Sequence, residues 1–117
     1  MTLVWKVELA ANAVDDLSLI FDHLFKTYRD LGEPDDVAFE RAAARVTGIQ
    51  DSALDLADNP YRGTRRDVMG ENLRNITINK AIIWFQLDDD RKCVRILAFF
   101  FGGQDHIRYM LRRMLDD

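Results

Sequence analysis

The sequence predicts an α+β domain: an N-terminal strand, a helical hairpin packed on a mainly antiparallel four-stranded sheet, and a short C-terminal helix. Three observations predict it. Residues 10–58 carry apolar residues at helical spacing, interrupted at Gly32 and Pro34. Residues 73–101 carry short runs of Ile, Phe, Val and Leu separated by polar turns. The last of these, Val94-Arg95-Ile96-Leu97-Ala98-Phe99-Phe100-Phe101, is apolar on both alternating faces, which places it inside a sheet covered on at least one side. No linker, repeat or low-complexity stretch divides the chain, so residues 1–117 read as one domain.

Taken in order, residues 2–8 read as a strand in which Leu3, Trp5 and Val7 alternate with Val4, Lys6 and Glu8, with Trp5 a core aromatic. Residues 10–31 read as a helix whose apolar stripe is Val14, Leu17, Phe21, Leu24, Phe25, Tyr28 and Leu31. Asp15, Asp16, Asp22, Lys26, Arg29 and Asp30 fall on its polar face. Gly32 stops it and Pro34 opens the next helix, 35–58, with the stripe Phe39, Ala42, Val46, Ile49, Ala53 and Leu56. Gly48 inside that helix costs about 1 kcal/mol against alanine, which points to close helix packing. Asn59-Pro60 ends the hairpin.

Residues 61–72 read as a loop. Strands follow at 73–78 and 80–87, linked at Asn79, and Asp88-Asp89-Asp90-Arg91 turns the chain into the last strand. There Val94, Ile96, Ala98 and Phe100 should share one face, with Cys93, Leu97, Phe99 and Phe101 on the other. Gly102-Gly103 breaks that strand. A helix at 104–115 places Ile107, Met110, Leu111 and Met114 on one face, with Arg108, Arg112 and Arg113 largely elsewhere, favoured toward its C-terminal end by the helix dipole.

Composition excludes several functional classes. No apolar run approaches the roughly 20 residues of a membrane span, and the N-terminus lacks the pattern of a signal peptide, so a cytoplasmic protein is expected. Cys93, the only cysteine, sits inside a strand and reads as a core residue; it excludes an intramolecular disulfide. His23 and His106 are the only histidines and show no metal-ligand spacing, and no glycine-rich phosphate loop or nucleophile elbow is present. No cofactor or metal is therefore expected; the Asp88-Asp89-Asp90 turn lacks the calcium-loop pattern.

Charge is divided along the chain. Residues 1–59 hold 5 Lys/Arg against 12 Asp/Glu, and residues 60–117 hold 11 against 8, giving −7 and +3. Two surfaces with different partners follow, and an overall charge of −4 argues against direct DNA binding, which needs concentrated cations. The densest positive cluster is Arg62, Arg65 and Arg66, with Arg74 close behind. It is either a solvated loop or a contact site for phosphate or an acidic partner, which the planar arginine fork suits.

The element order, Asn59-Pro60, Gly63, Leu73-Arg74 and the run from Val94 to His106 together resemble the RelE/ParE superfamily of bacterial type II toxin–antitoxin toxins. The resemblance spans nearly the whole chain. It implies a growth-inhibiting toxin held by a cognate antitoxin in a hetero-oligomer. Its target is either DNA gyrase, as for ParE-like inhibitors, or mRNA on the ribosome, as for RelE-like endonucleases. A nuclease of this kind uses an arginine in the middle meander strand, where Ile82 stands here, and arginines after the last strand, where Gly103-Gln104-Asp105-His106 stands. Lys80, Arg108, Tyr109 and His106 are the remaining groups that a nuclease reading can use; the depleted set favours the ParE-like, non-enzymatic side. Arg62, Arg65, Arg66 and Arg74 are expected to meet an acidic antitoxin tail or the target. A non-enzymatic protein-binding module is the third reading.

Overall fold

The computed structural model describes residues 4–102 and 105–116. Strand β1 (Lys6–Leu9) leads into helices α1 (Ala11–Asp30) and α2 (Asp35–Leu54), and a 3₁₀ turn (Asp55–Ala57) closes the hairpin. Strands β2 (Thr64–Arg65), β3 (Leu73–Ile78), β4 (Ala81–Asp88) and β5 (Cys93–Phe101) precede helix α3 (His106–Asp116). The sheet order is β1-β5-β4-β3-β2. β1 lies parallel to β5 and the other neighbours are antiparallel, so the meander is as the sequence predicts. The fold class stands, with one addition: the 61–72 loop contributes a two-residue strand, so the sheet has five strands, and it is mixed because β1 runs parallel to β5. Gly63 allows this. It has φ +88°, and an added Cβ would lie 2.6 Å from the Asn75 carbonyl oxygen of the neighbouring strand.

The hairpin covers one face of the sheet and α3 the other. On the hairpin side, Ala13, Leu17, Ile20 and Leu24 of α1 and Ala42, Ile49 and Ala53 of α2 pack on Ile83, Phe85, Val94, Ile96 and Phe99. On the opposite side, Met110 of α3 closes over Leu73, Ile82, Trp84, Ala98 and Phe100. Trp5 and Val7 join the hairpin-side core at its margin, and Cys93 is buried as expected; burial and Glu8 beside it push its thiol pKa up.

Several local expectations are corrected. Cα partners run Trp84↔Ala98 and then Phe85↔Ile96, so Leu97 is an extra residue on β5. This bulge switches the facing: Val94 and Ile96 share the hairpin side with Phe99, whereas Ala98 and Phe100 face α3. Strand β1 is four residues long, and Leu3 lies outside the described residues. The β3–β4 link is the pair Asn79-Lys80, both in the left-handed region, so β4 starts at Ala81. Helix α2 ends at Leu54, not at 58.

The buried stripe of α1 is rotated relative to prediction: Val14 and Leu31 are exposed, and Asp16 is buried. On α2, Phe39 is exposed and packs edge-on against Phe21 and Phe25 across the hairpin seam. Gly48 has nothing within 4 Å of an added Cβ, so close packing does not explain it. On α3 only Met110 is buried and Met114 is partly covered; Ile107 and Leu111 are exposed because the helix turns a narrow side to the sheet. Position 104 of the predicted last helix (104–115) lies outside the described residues, and the observed helix runs from His106 to Asp116.

Candidate functional surface

The arginines of the 61–74 segment are divided by the sheet. Arg65 and Arg74 are direct cross-strand partners on β2 and β3. Arg74 pairs in turn with Phe85, a hairpin-side residue, so this pair shares that side. Arg74 Nη1 donates to the Tyr61 carbonyl at 2.9 Å, and its guanidinium lies 5.7 Å from the Tyr61 ring. Tyr61 in turn stands edge-on to Trp5, and its hydroxyl donates to Asp89 Oδ1 at 2.8 Å, which raises the phenol pKa. Arg65 reaches Asp67 at 2.7 Å, with its side chain mostly in solvent. Arg62 is exposed.

Arg66 points to the other side. Its Nε donates to the buried Asn75 Oδ1 at 2.8 Å, and its guanidinium lies 5.9 Å from the Trp84 ring. The Trp84 Nε1–H donates to His106 Nδ1 at 3.1 Å, which leaves Nε2 to carry the proton of the neutral ring. Burial first, and the Arg66 charge second, hold the His106 pKa below the usual imidazole range; Asp105 opposes them. Strands β3 and β4, the residue that follows β2 and the start of α3 thus converge on a small polar patch of Arg66, Asn75, Trp84 and His106.

Of the four groups available to a nuclease, His106 belongs to this patch, and Arg108 and Tyr109 line a cavity with Asp105 and Arg112. Lys80 occupies the β3–β4 turn. Tyr109 stacks on Phe100 at 6.3 Å between ring centroids, on the side of α3 toward α1. The Arg108 backbone N–H donates to Asp105 Oδ1 at 3.3 Å, and its side chain is exposed. Ile82, at the middle-strand position, is buried among apolar groups beneath α3. No group of three or more metal-ligating side chains occurs among the described residues, and no described helix is long and apolar enough to cross a membrane.

Sequence reasoning missed one network. β1 stops at Leu9, and the Ala10 N–H makes the last bond to β5, at Ile96. Beyond it, side chains replace the missing strand. The buried Phe99 N–H donates to Asp16 Oδ2 at 3.0 Å, and Arg113 grips both Asp16 oxygens at 2.9 and 3.0 Å while reaching the Leu97 carbonyl at 3.4 Å. Arg113, expected with the exposed arginines, therefore ties α3 to α1 across the bulged strand. A signal was present: Asp16 lies three residues after Ala13 and four before Ile20, within the buried stripe.

No protein-family model matches the chain, and no curated protein matches it in sequence. Solved structures do. A chain of the chromosomal ParDE toxin–antitoxin system from P. aeruginosa superposes with TM-score 0.65 at 19% identity, over 86% of this chain and 98% of that one. The RelBE2 toxin–antitoxin complex from Mycobacterium tuberculosis matches at TM-score 0.56 and 16% identity, over 89% and 98%. A free E. coli RelE toxin with two arginines replaced by alanine matches at 0.58 and 9%, over 95% and 97%. At these identities the likeness is one of fold, and this chain has the fold of the RelE/ParE toxins.

Proposed function

We propose that this chain is the toxin of a bacterial type II toxin–antitoxin pair, a ParE-like inhibitor of DNA gyrase held inactive in the cytoplasm by a cognate antitoxin. One observation carries the choice between targets. The sheet face beneath α3 is a buried apolar core of Ile82, Trp84, Ala98, Phe100 and Met110; Arg108 and Tyr109 share a cavity with Asp105 and Arg112, whereas Lys80 sits in the β3–β4 turn and His106 is turned to Trp84. In-line attack by a 2′-hydroxyl needs a base, an acid and a cation within hydrogen-bond reach of one phosphate. With Ile82 in the buried core beneath α3, the middle-strand position offers no cation to a phosphate, and a binding role fits better than cleavage. The ParDE superposition supports the same reading. Arg65 and Arg74, paired on the β2 edge, are the charges best placed to meet an acidic antitoxin tail, because neither is buried.

The endonuclease reading keeps one observation in its favour, the proximity of Arg66 to a neutral His106 whose Nε2 is available as a donor. Induction of the chain alone, with labelled precursors followed during the first minutes, separates the two. Loss of DNA synthesis while translation persists is the expected result. Early loss of translation, abolished by His106→Gln, would replace gyrase inhibition with mRNA cleavage, and no effect on either would leave a passive binding module. For the antitoxin contact, Arg65→Glu is expected to weaken binding of the cognate antitoxin at least tenfold; a change within about twofold, worth about 0.4 kcal/mol, would remove Arg65 from that interface.

A further inference from the structure

The outer side of α3 carries an apolar stripe that the fold leaves uncovered. Ile107, Leu111 and Leu115 follow one another at intervals of four residues and are 39, 43 and 77% exposed. Residues so spaced lie on one side of a helix, and over eight residues this side is about 12 Å long. Isolated apolar residues on a surface need no explanation, but a continuous row of three on an 11-residue helix forms a patch. The β2–β3 loop adjoins it. An added Cβ at Gly70 would lie 3.2 Å from the Met114 methyl, Met69 packs into the cluster beneath α3, and Val68 is fully exposed.

Charge selects the occupant. Arg108 and Arg112 each follow a member of the stripe by one residue and so run beside it, both exposed. Among the described residues neither forms an ion pair, whereas Arg113 is committed to Asp16. We propose that Ile107, Leu111 and Leu115, with Arg108 and Arg112, form a docking face for an acidic amphipathic helix of a partner protein. Leucine-like residues of the partner at successive turns cover the stripe, and its carboxylates on the adjoining flank meet the two arginines. A second copy of this chain fits badly. Pairing two α3 stripes antiparallel brings like flanks together, which sets Arg108 and Arg112 of one copy against those of the other. Naming the partner as the antitoxin rests on the toxin reading above; the surface and its preference for an acidic helix do not.

Two fluorescent helical peptides test it, identical in their leucine face and differing only in glutamate or lysine along the flanks. Binding to the full chain is measured by anisotropy. The acidic peptide is expected to bind at least tenfold more tightly than the basic one, Arg108→Glu with Arg112→Glu to reverse that order, and Leu111→Ser to weaken both at least tenfold. All three substitutions are at exposed positions, so unchanged thermal melts serve as the folding control. Equal binding of the two peptides, no binding of either, or indifference to charge reversal would overturn the proposal. So would a concentration-dependent dimer in sedimentation that Leu111→Ser dissolves. If the peptide preference holds but induction of the wild-type chain leaves growth untouched, the docking face stands and only the identity of its partner falls.

Discussion

Asp16→Ala tests the network that ties the two sides of the sheet together. The wild-type carboxylate is 9% exposed, accepts the buried Phe99 N–H and is gripped bidentately by Arg113, whose side chain is 26% exposed. Alanine leaves the Phe99 N–H without an acceptor, at about 1–3 kcal/mol. It also strands the Arg113 charge. Breaking a fully buried pair costs about 3–5 kcal/mol; Arg113 keeps partial contact with water, so that part is discounted to about 1 kcal/mol. The sum is roughly 2–4 kcal/mol. With an unfolding entropy of about 2.1 cal/mol/K per residue, the melting temperature should fall by roughly 8–16 °C. Urea denaturation followed by circular dichroism gives the free energy, and amide exchange at Phe99 locates the loss. Asp16→Asn keeps an acceptor for Phe99 but no charge for Arg113, and should cost about half as much. A loss below about 0.5 kcal/mol for Asp16→Ala would refute the reasoning, as would a coupling below about 0.5 kcal/mol in the double-mutant cycle with Arg113→Ala.

Gly63→Ala should destabilise by at least about 1–3 kcal/mol in a urea titration, because the left-handed backbone and the approach to Asn75 both reject a Cβ; a neutral result would mean that β2 is not held against β3. Gly48→Ala should do the opposite, raising stability by about 0.5–1 kcal/mol, since open space surrounds the position on α2; a loss in the same titration would show a contact there. His106 makes stability depend on pH. Its folded pKa lies below the unfolded value near 6.5, so the unfolded chain takes up the proton first on acidification. Its contribution is therefore complete above that value and is lost as pH falls through it toward the folded pKa; His106→Gln should flatten the drop in urea midpoint between about pH 7.5 and 5.5, and an unchanged drop would count against the Trp84–His106 contact.

The candidate surfaces were legible only in part. Four arginines close in sequence read as one positive cluster, yet residues adjacent on a strand point to opposite faces. Arg66 consequently joins Trp84 and His106, while Arg65 and Arg74 lie on the hairpin side. Trp84 and His106 are 22 residues apart, and no local pattern joins an indole on a central strand to a ring at the start of a helix.

What the sequence determined by itself is the order and type of the elements. Helical spacing over 10–58, with Gly32 and Pro34 as punctuation, requires only neighbours in the chain, and the apolar runs of the meander are equally local. The tertiary structure decided how those elements face one another. The Leu97 bulge reverses the facing of β5 without any local signal, because a bulge is defined by register against β4. Asp16 looks like one more surface carboxylate on α1 until β1 ends at Leu9 and exposes a Phe99 N–H that must be satisfied. Arg113 then leaves the solvent for Asp16, and the side of α3 bearing Ile107, Leu111 and Leu115 stays exposed. Hydrogen-bond satisfaction and strand register act between residues distant in sequence, so periodicity gives the elements while only their packing selects which side chains remain free for a partner.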